Sequence, residues 1–98
     1  MATMIITEYG NIGVTGHGWQ IPIPSEPAIA EQTLTFTTTT QSAEFSSGTA
    51  YVRIVADADC HVRFGSDPTA TTSHQPLAAD TEYFRAVRQD HKVAAVTA

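Results

Sequence analysis

The sequence predicts an all-β fold, namely a small antiparallel β-sandwich or barrel, jelly-roll-like, of about six to eight strands with an extended N-terminal arm. Apolar residues alternate with a period of two in several segments, and capped helical spacing is absent apart from a single possible turn at 76–80. The 98 residues suffice for one small domain with a thin core. We expect residues 1–30 to form a first strand and the arm, and residues 31–98 to form the sandwich body.

The clearest strand signal runs from Ala50 to Ala56, where every second residue is apolar. A second alternating run, Cys60 to Phe64, follows after an acidic step of turn-forming composition at 57–59. The two runs predict a β-hairpin. Arg53 and Arg63 are both expected to point outward from this hairpin, and Glu82 or another acid of a neighbouring strand is a candidate partner.

Further strands are predicted on both sides of this hairpin. Thr3–Tyr9 and Glu31–Thr37 are candidates upstream, and the threonine tract at 37–40 either prolongs the second of them or forms an extended edge. Downstream, Glu82–Val87 and Lys92–Thr97 are separated by a short polar segment, which predicts a second hairpin. The inner faces of these strands predict a core of Val52, Ile54, Cys60, Val62, Phe64, Phe84 and Val93.

The arm is marked by its glycine and proline content. Residues 10–18 hold four of the six glycines, and residues 21–27 hold three prolines, which no central strand tolerates. Trp19 lies between these segments, and an indole there predicts that the arm docks on its own body or on a neighbouring subunit. The apolar residues expected to contact partners are Ile5, Ile6, Trp19, Ile21 and Ile23.

Charge and cysteine content exclude several classes of function. The net charge is -5, and the five Lys and Arg residues all lie from Arg53 to Lys92, so no basic cluster exists to bind nucleic acid. The single cysteine, Cys60, excludes an intramolecular disulfide and a cysteine-based zinc site, and its strand position indicates a buried apolar role. The sequence shows neither a secretory signal nor a membrane span, which predicts a cytosol-like compartment.

No set of residues has the spacing that catalysis requires. The histidines, His17, His61, His74 and His91, are scattered, and no nucleophile elbow is present. His61 with Asp57 or Asp59 could hold a metal ion, but a solvated acidic turn explains these residues better. We therefore expect no catalytic residues, no metal and no cofactor.

After these exclusions, the sequence predicts a binding or assembly module. One form of it is a glycan- or ligand-binding β-sandwich that displays the loop Gly65 to Gln75 and stacks its ligand on Tyr51, Tyr83 or Trp19. The other is a structural protein.

Three stretches of the C-terminal half carry most of a resemblance, and the opening Met-Ala-Thr with its short strand and the stretch Pro27 to Gln32 also contribute to it. Tyr51 to Ser73 contains an Ala-Asp-Ala step, a strand that ends in Phe-Gly and a Pro-Thr-Ala-Thr loop. Pro76 to Phe84 contains a Leu-Ala-Ala turn, and Lys92 to Val96 is a closing strand. In this order they are similar to small structural proteins of tailed bacteriophages. The resemblance covers about two thirds of the chain and does not extend to residues 11–24.

The resemblance implies a virion component that is made in the cytoplasm of the bacterial host. A head decoration or cement protein is expected, bound to the outer surface of the major capsid protein and to copies of itself as a dimer or trimer, without direct contact to nucleic acid or membrane. A neck or tail adaptor is the runner-up. Either role suits a β body that adds a strand to its neighbours, through Thr3 to Tyr9 or the threonine-rich edge Thr33 to Thr40.

Overall fold

The computed structural model describes residues 2–98 apart from residues 15–17, 19 and 25, and it gives only the backbone at 13, 14 and 20–22. The described residues contain no helix. Their ten strands are β1 (Ala2–Tyr9), β2 (Ile12–Val14), β3 (Gln20–Pro24), β4 (Ala30–Phe36), β5 (Thr40–Gln41), β6 (Tyr51–Ala56), β7 (Cys60–Gly65), β8 (Gln75–Leu77), β9 (Tyr83–Ala86) and β10 (Lys92–Thr97).

Two four-stranded antiparallel sheets form the body. The first sheet has the strand order β4-β1-β6-β9, the second has the order β5-β10-β7-β8, and β2 pairs with β3 in a separate ribbon. Alternate residues along the strands of these two sheets form a common core between them, as the period-two pattern requires. The predicted all-β sandwich is therefore confirmed.

Both predicted hairpins are wrong in their pairing. β6 pairs with β1 and β9, whereas β7 pairs with β10 and β8, so the acidic step between β6 and β7 crosses from one sheet to the other. Its carboxylates hold the crossing in place, because Asp57 Oδ1 accepts a hydrogen bond from Thr3 N and Asp59 Oδ1 accepts one from Ala79 N. The connection from β9 to β10 likewise changes sheets.

The N-terminal strand is central. β1 pairs along one side with β4 and along the other with β6, so Thr3 to Tyr9 has no free edge to add to a neighbour. The arm also contains strands, since Pro22 and Pro24 lie in β3 of the two-stranded ribbon, where an edge position tolerates them.

Two local expectations change as well. The threonine tract is a corner between the sheets, because β4 ends at Phe36 and the carbonyl of Thr37 accepts hydrogen bonds from Thr97 N and Thr97 Oγ1. The possible helical turn at 76–80 is instead strand β8 followed by a turn, in which Asp80 has a φ of 55° and its N–H donates to Ala56 O.

The core agrees with the sequence at five of the seven positions named for it. Phe64 is half-buried and packs against the core. Phe84 is 41% exposed, so its assignment to the core is wrong. Its place in the register, opposite Arg53 of β6, puts it on the outward face, while Tyr83 faces Ile54. The five confirmed residues are Val52, Ile54, Cys60, Val62 and Val93.

The loop at 66–74 covers part of the outward face of the second sheet. It leaves β7 and reaches the far edge of that sheet, where Gln41 Nε2 donates to Pro68 O (2.8 Å) and Ala70 N donates to Thr39 Oγ1 (2.9 Å). Pro68 and Ala70 are buried, and so is Ala94 of β10, although its neighbours in the strand face the core. The chain itself therefore covers the outward face of the second sheet over β10, while Arg63 of β7 stays exposed.

Candidate functional site

Part of the outward face of the first sheet is exposed and apolar, whereas Thr7 and Tyr9 on the same face are buried. Ile5 of β1 is 48% exposed and lies opposite Val55 of β6, and Phe84 of β9 is 41% exposed. These residues alternate with the core residues of their own strands. Because successive side chains of a strand point to opposite faces, the residues between the core residues point to the solvent side of the sheet. We call this surface, together with the groove described next, the outer face.

A row of aromatic rings crosses the outer face. The rings of Tyr9 and Tyr51, which are opposite each other in the register, stack with centroids 5.5 Å apart and planes inclined by 20°. Tyr51 then meets Phe84 at 6.4 Å and 53°. Rings fixed by each other and by strand backbone lose little side-chain entropy when a partner binds.

The two-stranded ribbon forms the other wall of a groove beside this row. Ile23 and Pro24 of β3, with Ile12 of β2, face Tyr51 and Phe84 across a space of about 570 Å³. Glu82 lines the same groove. Ile23 is 56% exposed, the largest exposure among the large apolar residues that the structure describes.

Two hydrogen bonds attach the arm to its own body. Tyr51 Oη donates to the carbonyl of Asn11 (2.8 Å), and Tyr9 Oη donates to Glu26 Oε2 (2.7 Å). In its described residues, therefore, the arm docks in cis. Trp19, on which the expected docking depended, lies outside the described residues.

The bond between Tyr9 and Glu26 predicts a dependence of stability on alkaline pH. The hydrogen bond to the Glu26 carboxylate, together with burial of the ring, raises the pKa of Tyr9 to about 12. Between the ordinary value of 10.0 and this one, the unfolded chain loses the Tyr9 proton while the folded chain keeps it. The stabilisation due to the raised pKa is therefore complete below pH 10 and is lost as the pH rises to about 12.

Comparing wild type with Tyr9→Phe measures this effect, because every other titrating group is present in both proteins. The difference in their free energies of unfolding is expected to shrink steadily from pH 9.5 to 12. A difference that stays constant over this range would show that Glu26 does not hold the phenol proton.

A salt bridge lies at the rim of the groove. Arg53 Nε contacts Glu82 Oε2, which confirms Glu82 as the acid that pairs with the outward arginine. The hydrogen bond to Glu82 raises the pKa of Arg53 further above its usual range. Both side chains are substantially exposed, so the pair contributes at most about 1 kcal/mol to stability.

The residues considered for metal binding are occupied otherwise. Asp57 and Asp59 accept backbone hydrogen bonds in their turn, and the described residues contain no group of three or more potential metal ligands. His61 Nδ1 is buried without a hydrogen-bond partner. Cys60 is fully buried in the core, and burial raises the pKa of its thiol.

The structure divides the five expected contact residues. Ile5 and Ile23 are exposed on the outer face, whereas Ile6 is fully buried in the core and is not available to a partner. The side chain of Ile21, like all of Trp19, lies outside the described residues. Sequence reasoning missed Phe84 as a contact residue. The signal that could have placed it was the outward Glu82, which lies two residues earlier, just before β9 begins.

Comparison with protein-family models, curated proteins and solved structures gives no significant match to this chain. Within the described residues, no helix is long and apolar enough to cross a membrane.

Proposed function

We propose that this protein is a non-enzymatic structural component of a tailed-bacteriophage virion, a capsid decoration or cement protein that binds the outer surface of the head through its outer face. One observation carries the proposal. The outward face of the first sheet exposes Ile5 and Phe84 beside an apolar groove, whereas the loop at 66–74 covers part of the outward face of the second sheet.

Physical properties of the outer face support this role. An exposed apolar patch on a rigid sheet is typical of a protein–protein interface. Docking it on a capsid would bury Ile5 and Phe84 and displace water from the groove. The net charge of -5 would also disfavour contact with packaged DNA, leaving the major capsid protein as the expected partner.

Binding to heads that lack the protein tests the proposal. The variant Ile5→Lys places a charge in the middle of the outer face, and we expect it to weaken co-sedimentation with such heads by about tenfold or more, because an unpaired charge in an apolar interface is costly. Thr72→Lys is the matched control, since it adds the same charge at an exposed position in the loop of the second sheet. Equal binding by both variants would remove the outer face from the interface.

A neck or tail adaptor is the alternative within the same class of protein. The number of copies per particle separates the two roles. Hundreds of copies indicate decoration of the head lattice, and a dozen or fewer indicate the neck. The outer face would serve as the docking surface in either case.

A glycan- or ligand-binding module is the second candidate, because two aromatic residues, Tyr51 and Phe84, line the groove. Tyr83 is not part of that platform, since it packs against the core and its Oη accepts a hydrogen bond from Ala78 N. Glycan-array binding that is lost in Phe84→Ala and retained in Tyr83→Phe would favour this candidate over the capsid role.

A further inference from the structure

The first sheet ends in a long strand edge. Of the four edge strands in the two sheets, β4 has seven residues, whereas β9 has four, β8 has three and β5 has two. One side of β4 pairs with β1, and no strand of the described residues pairs with its other side. The edge of β4 therefore offers a row of backbone groups that pair with no strand among the described residues, and the row is long enough for another strand.

The sequence of β4 carries none of the features that block such pairing. Edge strands are usually protected by proline, by lysine or by being very short. β8 has Pro76 at its middle and β9 has Arg85. β4 has no proline and no basic residue, its one charged residue is Glu31, and its exposed side chains include Thr33 and Thr35.

We propose that β4 pairs antiparallel with β4 of a second copy of this chain, with Thr33 opposite Thr33. Residues that lie directly opposite each other in two paired strands point to the same face of the sheet. If the two cores are to lie on the same side, each core-facing residue must therefore lie opposite a core-facing residue of the other copy. A two-fold pairing meets this condition only when its centre is a residue, and not the point between two residues. A centre at Thr33 is the one that uses all seven residues of β4.

The side chains fit this register. Glu31 lies opposite the hydroxyl of Thr35, and the two Glu31 carboxylates are about 14 Å apart along the strand direction, beyond close repulsion. On the inner side, Gln32 lies opposite Leu34, so the polar side chain of each copy borders the apolar one of the other. Threonine opposite threonine is itself a favourable cross-strand pair. A centre at Glu31 would bring the two carboxylates together.

The pairing also has a consequence for docking, and this consequence rests on the proposed function. Because opposite residues share a face, the two-fold axis is perpendicular to the joined sheet, and both outer faces lie on the same side of an eight-stranded sheet. A dimer would then present two docking surfaces to a capsid at once, which increases the effective affinity. The dimer itself does not depend on any capsid.

Two lysine substitutions with opposite expected effects test the register. Thr33→Lys places two lysines opposite each other at the centre, and we expect the dimer dissociation constant to rise at least about threefold at low salt. Thr35→Lys places a lysine opposite Glu31 twice, once for each half of the interface, and we expect the constant to fall at least about threefold. Both positions are exposed in the monomer, so the two proteins should fold alike.

Sedimentation equilibrium of the isolated proteins, from micromolar to millimolar concentration, measures these constants, and thermal unfolding at the lowest concentration checks the fold. A wild-type dimer with opposite shifts in the two variants supports the proposal. A wild type that stays monomeric up to millimolar concentration, a higher oligomer, or shifts of the same sign would overturn it. Binding to heads is measured separately, so failure of the dimer and failure of the capsid role are distinguishable.

Discussion

Replacing Phe45 with alanine is expected to lower the free energy of unfolding by about 3–5 kcal/mol, because the ring is fully buried in the core and its removal leaves a cavity. Phe45 lies outside the strands, yet its backbone N–H donates to His91 O and its carbonyl accepts from Asp90 N. Its ring is 6.4 Å from that of Phe64. The residue thus ties the segment after β5 to the β9–β10 connection, and urea denaturation measures the loss.

Phe84→Ala is the matched control, since it removes the same side chain from a position that is 41% exposed. We expect it to cost about 1 kcal/mol or less, as is usual for partly exposed apolar residues. If the two substitutions lowered the free energy of unfolding equally, Phe84 would have to be buried in the core like Phe45. The outer face as described would then not exist.

Replacing Glu8 with alanine is expected to cost about 3 kcal/mol or more, although the substitution removes a charge from the interior. Glu8 is 2% exposed, and its Oε1 accepts hydrogen bonds from Ser46 N (2.6 Å) and Thr49 Oγ1 (2.8 Å). Without the carboxylate, both donors lose their partner inside the protein. The loss should appear in urea denaturation and in faster hydrogen exchange of the Ser46 amide.

Two further substitutions separate this effect from a general response to lost charge. Glu44→Ala removes an exposed carboxylate and is expected to change stability by no more than about 0.5 kcal/mol. Glu8→Gln keeps an oxygen acceptor in place and should fall between the two. A Glu8→Ala protein as stable as Glu44→Ala would show that the bonds to Ser46 and Thr49 contribute nothing.

The fold class could be predicted because alternation is a local property of the chain. The pattern of β6 identifies its buried face whichever strands lie beside it. Pairing could not be predicted in the same way, since a short acidic step between two strands suits a hairpin and a crossing between sheets equally well. The crossing is decided by distant partners, such as Thr3 N bound to Asp57 and Ala79 N bound to Asp59.

The outer face could be predicted only in part, for a related reason. Adjacent apolar residues, such as Ile5 with Ile6 and Tyr83 with Phe84, leave the phase of a strand ambiguous until its neighbours fix the register. Glu8 continues the inner phase of β1 at a place where the pattern expects an apolar side chain. Its role depends on a loop some forty residues later in the chain.

The most direct test of the proposed capsid role is cryo-electron microscopy of intact virions purified from the source of this sequence. We predict density for many copies of the β-sandwich on the outer head lattice, with Ile5 and Phe84 turned toward the major capsid protein and the loop at 66–74 turned away. Particles whose heads lack the protein, or copies that contact the capsid through the second sheet, would contradict it.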